Sequence, residues 1–315
     1  MLSRVAEALF WVGRYVERAE DTARLLDVHF HEVLEDPRVD EADACAVLLT
    51  VMGVPEESAR RHRDISALMD LLGYDEAAPI SIVGALVAAW QNARSAREAL
   101  SAEIWECLNS TRNSLPARVT AARDFGPAPF FSYVRERAAA FAGYAEAGMS
   151  RDASYDMLVL GRSLERVDMT ARLLASRVGV GTRSEGWTAI LRACSAHEAY
   201  LRTYQQDVTA PRVVEFLLLD RIFPRSAFHA LRAGEDALAR LDPVSGRSAL
   251  GDPARREIGR ARTDLEFLSA ADLLVDLSDR LLGLQRTVSV ISESVTQSLF
   301  AGSPPLQWSI EETVG

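Results

Sequence analysis

The sequence predicts an all-α protein, a helical bundle built from two internally duplicated halves with pseudo-two-fold symmetry. Apolar residues recur at steps of three and four through most of the chain, as on one face of a helix. Runs that alternate with the period of a β-strand are nearly absent. The segment Gly13–Leu26 also recurs at Gly161–Leu174, 148 positions later, with nine of its 14 residues identical.

Apolar periodicity and residues typical of helix starts predict where the helices lie along the chain. An apolar seam runs from Leu9 to Phe30, and a matching seam runs from Met157 to Val178. Serine follows Pro79 and Pro224 at the start of Ala/Leu-rich patterns, as at a helix N-terminus. Helices are therefore predicted at about residues 3–34, 40–53, 58–73, 80–115, 131–148, 151–179, 184–206, 210–220, 224–241, 252–283 and 285–300.

The repeat divides the chain into halves of similar plan. A weaker match of Pro79 and Ser81 with Pro224 and Ser226 continues it at an offset of 145. Residues 301–315 have two prolines and no periodicity, so they are predicted to form an extended tail docked by Trp308. The predicted organisation is one all-helical domain over 1–300, with half 1 at about 1–115, a Pro- and Gly-rich linker at about 116–130 and half 2 at about 131–300.

Composition excludes several function classes. Of the 315 residues, 48% are hydrophobic and 25% charged, which is typical of a globular protein. All 35 basic residues are arginine, which excludes a Walker A lysine and Schiff-base catalysis. The net charge of −10 argues against nucleic acid or an anionic membrane surface as the partner.

The cysteines and the hydropathy pattern indicate a cytoplasmic protein. Cys45, Cys107 and Cys194 are too far apart for zinc-type pairs, and their odd number does not suit a disulfide framework, so buried free thiols are expected. The longest uncharged stretch, Ala77 to Ala93, contains a proline and is too short to span a bilayer. The N-terminus lacks the apolar region of a secretory signal.

The two repeated segments carry the same charges on the helix face opposite the apolar seam. Phe10 and Trp11 share that face, which predicts that protein covers part of it. The glutamates are then expected to be mostly buried, each with an arginine from another helix or from three residues earlier. The motif residues are Arg14, Glu17 and Arg18 in the first segment and Arg162, Glu165 and Arg166 in the second.

Three interpretations of these six residues stay open. A structural network would join the two segments through ion pairs across a pseudo-two-fold contact. A ligand or partner site would use the same charges for binding. A solvated face fits the i,i+4 pairs Glu20–Arg24 and Asp168–Arg172, but Arg14 and Arg18 repel each other at that spacing.

Several motifs together resemble one family, the alpha-E domain family of bacterial all-helical proteins named for a glutamate–arginine motif. They are LSRVAEALFWVGRYVERAEDTARLL at the start, GRSLERVDMTARLL, AEIWECLN, and SAHEAYLRTY followed by FLLLDRIFPRS. The family's motif maps onto Glu17, Arg18, Glu165 and Arg166. The two repeated segments differ at one charged position, where Met169 aligns with Asp21, so the two sites are not chemically equivalent.

The resemblance implies partners and a class of function. Family members look to be encoded beside, or fused to, circularly permuted ATP-grasp ligases and transglutaminase-like proteases. We therefore expect an accessory or co-catalytic partner of an amide or peptide ligase, which positions a peptide or amino-acid substrate. The alternatives are a stand-alone enzyme acting on a peptide with Glu17 or Glu165 as general base, and a structural adaptor whose acidic exterior docks a basic partner.

A second candidate site is predicted at the bend formed by Phe223-Pro224. Asp220, Arg221 and Arg225 bracket this bend. It would present two guanidinium groups to an anion or a carboxylate.

Two further patterns are weaker. His197, Tyr200 and Tyr204 share a helical face that either lines a pocket or packs against another helix. His29 and His31 point about 200° apart on a helix and cannot hold one metal ion. No metal site and no cofactor are expected.

Overall fold

The computed structural model describes residues 2–35, 40–177, 184–241 and 253–300, which contain helices and no strand. This confirms the predicted all-α class. The helices are α1 (Ser3–Glu35), α2 (Glu41–Val51), α3 (Glu56–Ala59), α4 (Ile65–Leu68), α5 (Ile82–Ser95), α6 (Ala102–Phe125), α7 (Ala128–Gly148), α8 (Ala153–Ala175), α9 (Ser184–Ala193), α10 (His197–Tyr204), α11 (Ala210–Leu219), α12 (Ala227–Leu241), α13 (Pro253–Glu266), α14 (Ala270–Leu274) and α15 (Leu277–Leu299).

Helices α1 and α8 form the centre of the bundle. They pack along each other, with α5 and α7 against α1, and α12 and α15 against α8. Phe30 at the end of the first seam is partly buried, and Val178 lies outside the described residues. The other seam residues are buried as predicted, namely Leu9, Val12, Val16, Ala19, Ala23 and Leu26 in α1 and Met157, Leu160, Leu164, Val167, Ala171 and Leu174 in α8.

Two glycines determine how closely α1 and α8 approach. A Cβ atom on Gly13 would lie 2.3 Å from the carbonyl oxygen of Leu158, and one on Gly161 would lie 2.0 Å from the carbonyl oxygen of Phe10. Each glycine therefore faces the backbone of the other helix. This close crossing brings the charged side chains that follow each glycine within ion-pair distance of the opposite helix.

The turns before α5 and α12 have the same hydrogen bonds. The hydroxyl of Ser81 donates to the carbonyl oxygen of Asp75, and that of Ser226 donates to the carbonyl oxygen of Asp220. Each serine oxygen also accepts from an amide three residues further on, as an N-cap does. The two serines are the pair matched by the sequence repeat. The common origin of the halves stays a prediction.

Some predicted helices are divided in the structure. The predicted helix 58–73 consists of α3, α4 and a π-helical segment at Met69–Tyr74. The predicted helix 80–115 is interrupted by a 3₁₀ turn at Arg97–Ala99, after which Ser101 caps a new helix, α6. A serine side chain can form hydrogen bonds with nearby backbone groups in place of the helical ones. This favours a helix start at Ser101 over an uninterrupted helix and is the physical reason for the break.

Other breaks occur at residues with a left-handed backbone. The predicted helix 184–206 is divided at Ser195, which has a φ of 55°. The predicted helix 252–283 ends at Glu266, and α15 begins after Asp276, which has a φ of 56°. Gly283, where the sequence suggested a break, lies inside α15.

The predicted linker at about 116–130 is mostly helical. Helix α6 continues through Pro116 to Phe125, and the chain then turns at Gly126, whose φ is 98°. Helix α7 follows after Pro127, so two residues connect the helices. The bounds of the halves stay predictions, and the predicted tail 301–315 with Trp308 lies outside the described residues.

Candidate functional site: the glutamate–arginine helix pair

Glu165 of α8 lies between two arginines of α1. Its Oε2 accepts from Nε of Arg14 at 2.7 Å, and its Oε1 accepts from Nε of Arg18 at 2.6 Å. The two guanidinium groups lie over the rings of Trp11 and Tyr15, respectively. Glu165 is only 1% exposed. Its predicted burial and pairing are confirmed, and the partners come from the other helix.

Glu17 of α1 has a reciprocal arrangement. Its Oε1 accepts from Nε of Arg166 on α8 at 2.6 Å, and it lies 2.9 Å from Nη1 of Arg225, which precedes α12. Arg225 also contacts Asp21 and, at 2.8 Å, Glu20. Glu17 is buried as predicted. Three carboxylates of α1 thus share one guanidinium group.

Burial and the neighbouring arginines shift the pKa of each glutamate in opposite directions. Burial raises the pKa of Glu165, but Arg18 and Arg14 lower it to about 2. Burial also raises the pKa of Glu17, and Arg225 and Arg166 bring it below its ordinary value. Both carboxylates are therefore ionised at neutral pH and are weak proton acceptors.

Asp21 differs from both glutamates. Burial raises its pKa, and although Arg225 lowers it, Glu17 and Glu20 raise it again, to about 7. The folded protein therefore binds this proton more tightly than the unfolded chain, in which the pKa of the group is about 4. Its contribution to stability consequently decreases as the pH rises from about 4 to about 7.

We expect Asp21→Asn to remove this pH dependence. The amide retains an oxygen that can accept from Arg225 but does not titrate, so the free energy of unfolding should fall less between pH 4 and pH 7 than in the wild type. Urea unfolding at a series of pH values measures this. Asp279→Asn, at an exposed position of α15, is the control. A carboxyl carbon chemical shift that titrates below pH 4 at Asp21 would contradict the prediction.

Arg162 differs from the other motif arginines. In the part of the chain that the structure describes, no carboxylate lies within 4 Å of its guanidinium group, whereas its repeat counterpart Arg14 binds Glu165. Burial lowers the pKa of Arg162, and the positive charge of Arg166 lowers it further. Arg162 is thus a largely desolvated cation without a direct counterion in the described structure.

Arg162 lines a pocket between α1, α7 and α8. The pocket is small, with an enclosed volume of about 30 Å³, which is room for a few water molecules, and it opens to solvent. Glu17, Glu20 and Arg166 form the rest of its charged wall. Its apolar wall includes Ala138, Phe141, Ala142, Ala145, Leu158 and Val159.

The pocket lies at a position where the two repeated segments differ. Val159 lines it beside Arg162, and the repeat counterpart of Val159 is Trp11. In the first segment the indole of Trp11 lies 5.6 Å from the guanidinium carbon of Arg14. The smaller valine therefore leaves space beside Arg162 that an aromatic ring occupies beside Arg14.

His229 of α12 lies near Arg162, and Arg232 of the same helix lies near His229. Arg232 is exposed and forms no ion pair with the residues that the structure describes. Burial lowers the pKa of His229, and Arg166, Arg232 and Arg162 lower it further, against the opposing charge of Asp220. His229 is therefore a neutral imidazole at neutral pH, with three arginines near it.

The second predicted site does not form. Arg225 is buried and occupied by carboxylates of α1, whereas Arg221 lies at the surface, 3.6 Å from Glu266. Asp220 accepts a hydrogen bond from the amide of Ile222 and so stabilises the bend itself. The prediction that two guanidinium groups converge on one anion is wrong, because Arg225 points into the bundle.

The structure favours the packing interpretation for the aromatic face of α10. Tyr200 is fully buried, with its ring centroid 4.9 Å from that of Tyr204 and 5.8 Å from that of Phe216. Its hydroxyl donates to the carbonyl oxygen of Asp207. His197 is partly buried at the first position of the helix.

The contact of Arg225 with α1 is not among the contacts predicted from the sequence. A signal for it exists in the repeat, where the counterpart of Arg225 is Ile80 and the counterpart of Asp21 is Met169. An acidic and a basic residue that are both replaced by apolar residues in the other segment are expected to contact each other. The pocket wall of α7 gave no such signal, because it consists of alanines and one phenylalanine.

The remaining described residues add little to the site. Cys45, Cys107 and Cys194 are free and buried, as predicted. Within the described ranges, no three histidine, cysteine or acidic side chains are grouped as a metal site requires. None of the described helices is both long enough and apolar enough to cross a membrane.

The fold and the site define an all-helical protein in which two central helices exchange glutamate–arginine pairs. Residues 1–300 match the family Alpha-E, described as a predicted alpha-helical domain with a conserved ER motif. The chain belongs to this family.

Similar proteins are found in mycobacteria. The chain is 26% identical, over 334 aligned positions, to the uncharacterized protein Mb2597 of Mycobacterium bovis and to the uncharacterized protein Rv2567 of Mycobacterium tuberculosis. In both cases the alignment covers 96% of this chain but only 38% of the relative. No solved structure matches the chain.

Proposed function

We propose that this protein is an accessory or co-catalytic partner of an ATP-grasp type amide or peptide ligase and positions a peptide or amino-acid substrate for it. The observation that carries the proposal is the pocket in which Arg162 has no carboxylate partner among the described residues. A desolvated guanidinium group beside empty space is a ready binding partner for a carboxylate, the group that such ligases activate.

The geometry supports binding more than independent catalysis. Glu165 is enclosed by Arg14 and Arg18 and has a pKa of about 2, so it is a weak general base. Glu17 lines the pocket, but its pKa is also below its ordinary value. The stand-alone enzyme therefore stays the alternative, and the experiment below distinguishes the two functions.

The ligase partner is taken from the family resemblance, as is the transglutaminase-like protease as a second partner. The lengths of the relatives support a role beside another protein unit, because the matching region is 38% of each mycobacterial chain. The three free, buried cysteines suit the reducing cytoplasm, which we propose as the compartment.

A structural adaptor is the second alternative, and one surface favours it. Ile222 is 85% exposed and Phe267 is 81% exposed, and each directly follows one member of the Arg221–Glu266 ion pair. Large exposed apolar side chains around a charged pair are typical of protein–protein contacts. An adaptor would need this surface but would not need Arg162.

The test is reconstitution with an ATP-grasp ligase of the kind that the family resemblance implies as the partner. ATP-dependent amide formation is measured for the ligase alone, for the pair, and for the pair with Arg162→Gln. We expect the wild-type protein to raise turnover, and Arg162→Gln to lower the stimulated rate at least tenfold while the two proteins still co-purify. Arg202→Gln, at an exposed position of α10, is the matched control and should leave the rate unchanged.

Three results would contradict the proposal. Turnover of a peptide by the isolated protein would favour the enzyme. Full activity of the ligase alone would exclude an accessory role. Stimulation that survives Arg162→Gln but is lost with Ile222→Asp would favour the adaptor.

A further inference from the structure

Arginine and tryptophan side chains form a row on the surface between α5 and α6. The rings of Trp90 and Trp105 are stacked with an interplanar angle of 29°, and their centroids are 6.4 Å apart. The guanidinium carbon of Arg97 lies 5.0 Å from the ring centroid of Trp105. Those of Arg94 and Arg112 lie 5.8 Å and 5.6 Å from the ring centroid of Trp90. These five residues are called the arginine–tryptophan row.

The sequence places the row on facing sides of two adjacent helices. Trp90 and Arg94 are one turn apart on α5. Trp105 and Arg112 are two turns apart on α6. The indole nitrogen of Trp90 donates to the side-chain oxygen of Asn109 at 3.1 Å, which holds that ring in place. Trp105 and Asn109 belong to AEIWECLN, a motif that the glutamate–arginine helix pair does not use.

The guanidinium groups of the row have unused donors. None of them donates a hydrogen bond to an acceptor in the part of the chain that the structure describes. Arg94 and Arg97 also form no ion pair with a described residue. Arg112 lies 3.7 Å from Glu76, whose side chain is itself 61% exposed. Each guanidinium group can therefore donate to an acceptor from another molecule.

The row is accessible from solvent. Arg94 and Arg97 are exposed, and Arg112 and the two tryptophans are only partly buried. An arginine stacked on an aromatic ring is already oriented, so it loses little side-chain freedom on binding. Tryptophan and arginine are also enriched among the side chains that contribute most to protein–protein affinity. The row therefore has the composition of a protein-binding surface.

The charge of the row indicates the chemistry of its partner. Its three arginines form a basic patch on a chain whose net charge is −10. Guanidinium groups bind carboxylates through two parallel hydrogen bonds. Glu98 and Glu103, which flank the row in the sequence, are exposed and would repel a long polyanion such as nucleic acid. A short acidic segment with an apolar residue fits the row better.

We propose that the arginine–tryptophan row binds a short acidic segment of a partner protein. Its carboxylates would bind the guanidinium groups of Arg94, Arg97 and Arg112, and an apolar side chain would pack against the tryptophan rings. The row shares no residue with the pocket beside Arg162. The proposal therefore goes beyond the proposed function and does not depend on it.

The test is an NMR titration of the protein with two peptides, followed by the indole N–H signals of isotope-labelled tryptophan. One peptide is acetyl-Glu-Glu-Leu-Glu-Glu-amide, and the other has glutamine in place of every glutamate. We expect the acidic peptide to bind at least tenfold more tightly, and about 0.5 M salt to weaken its binding. The signals of Trp90 and Trp105 should shift, whereas that of the buried Trp187 should not.

Two double variants accompany the peptides. Arg94→Gln with Arg97→Gln should weaken binding of the acidic peptide at least tenfold. Arg118→Gln with Arg202→Gln is the matched control, because it removes two exposed arginines outside the row. The guanidinium carbon of Arg118 lies 4.3 Å from the ring centroid of Tyr133, so the control also removes an arginine–aromatic contact. It should leave binding unchanged. Thermal unfolding shows that binding is compared between folded proteins.

Several results would overturn the proposal. They are no binding of the acidic peptide, equal binding of the glutamine peptide, or an equal loss of binding in the control variant. Tighter binding of a single-stranded thymidine oligonucleotide at the same tryptophans would identify the occupant as nucleic acid. Self-association that Arg94→Gln with Arg97→Gln abolishes would identify it as a second copy of the chain. None of these results bears on stimulation of the ligase through Arg162, which is measured separately.

Discussion

Gly161→Ala is expected to destabilise the protein by about 3 kcal/mol. The new methyl group would lie 2.0 Å from the carbonyl oxygen of Phe10, and only movement of α1 away from α8 can relieve this contact. Such a movement would also lengthen the ion pairs of Glu165 and Glu17, because they bridge the same two helices. Urea unfolding followed by circular dichroism measures the loss.

The matched control is Gly143→Ala in α7. A Cβ atom at Gly143 meets nothing within 4 Å, so the substitution should stabilise the protein by up to about 1 kcal/mol through helix propensity alone. Equal effects of the two substitutions would mean that α1 and α8 are not in close contact at Gly161.

Glu165→Gln is expected to cost about 3 kcal/mol at pH 7, because Arg14 and Arg18 would lose the carboxylate that compensates their buried charges. Glu17→Gln should cost less, about 1–3 kcal/mol, since Arg225 retains Glu20 and Asp21. Chemical denaturation of the three proteins gives the comparison. Glu293→Gln, at an exposed position of α15, should change stability by less than about 0.5 kcal/mol.

The effect of Glu165→Gln should depend on pH in a defined direction. The pKa of Glu165 is about 2 in the folded protein and about 4.3 for an unperturbed glutamate, so the folded state binds this proton less tightly. Its stabilisation is fully present above about pH 4.3 and is lost as the pH falls toward 2. The difference between wild type and variant should therefore shrink between pH 5 and pH 2. A difference that is constant over this range would contradict the pairing.

The helices that the sequence predicts best are the two with the longest periodic patterns. For α1 and α8 an apolar seam over six or more turns outweighs local preferences, and the predicted bounds lie within a few residues of those observed. The missed breaks lack such a signal. Ser195 and Asp276 adopt a left-handed backbone without being glycine. Gly283 lies within a helix because a glycine costs only about 1 kcal/mol there relative to alanine.

The charged residues of the site could be predicted from the sequence, but only some of their ion-pair partners could. The repeated motif indicates that arginines of one segment meet the glutamate of the other, and this is observed for Glu165 and Glu17. The contact between Asp21 and Arg225 spans 204 positions and depends on how α12 packs, which no local pattern encodes. The pocket depends on tertiary packing as well, since it arises from small residues on three helices.

The reciprocal pairing of α1 and α8 has a consequence for synthesis on the ribosome. Arg14 can form its ion pair only after Glu165, 151 positions later, has been synthesised. At a synthesis rate of about 5–20 residues per second, this delay is roughly 8 to 30 s. During that time the nascent first helix exposes a charged face to water, and its buried environment cannot yet exist. The native core is therefore completed only after α8 and then Arg225 have emerged, so the amino-terminal part of the chain cannot reach its final structure by itself.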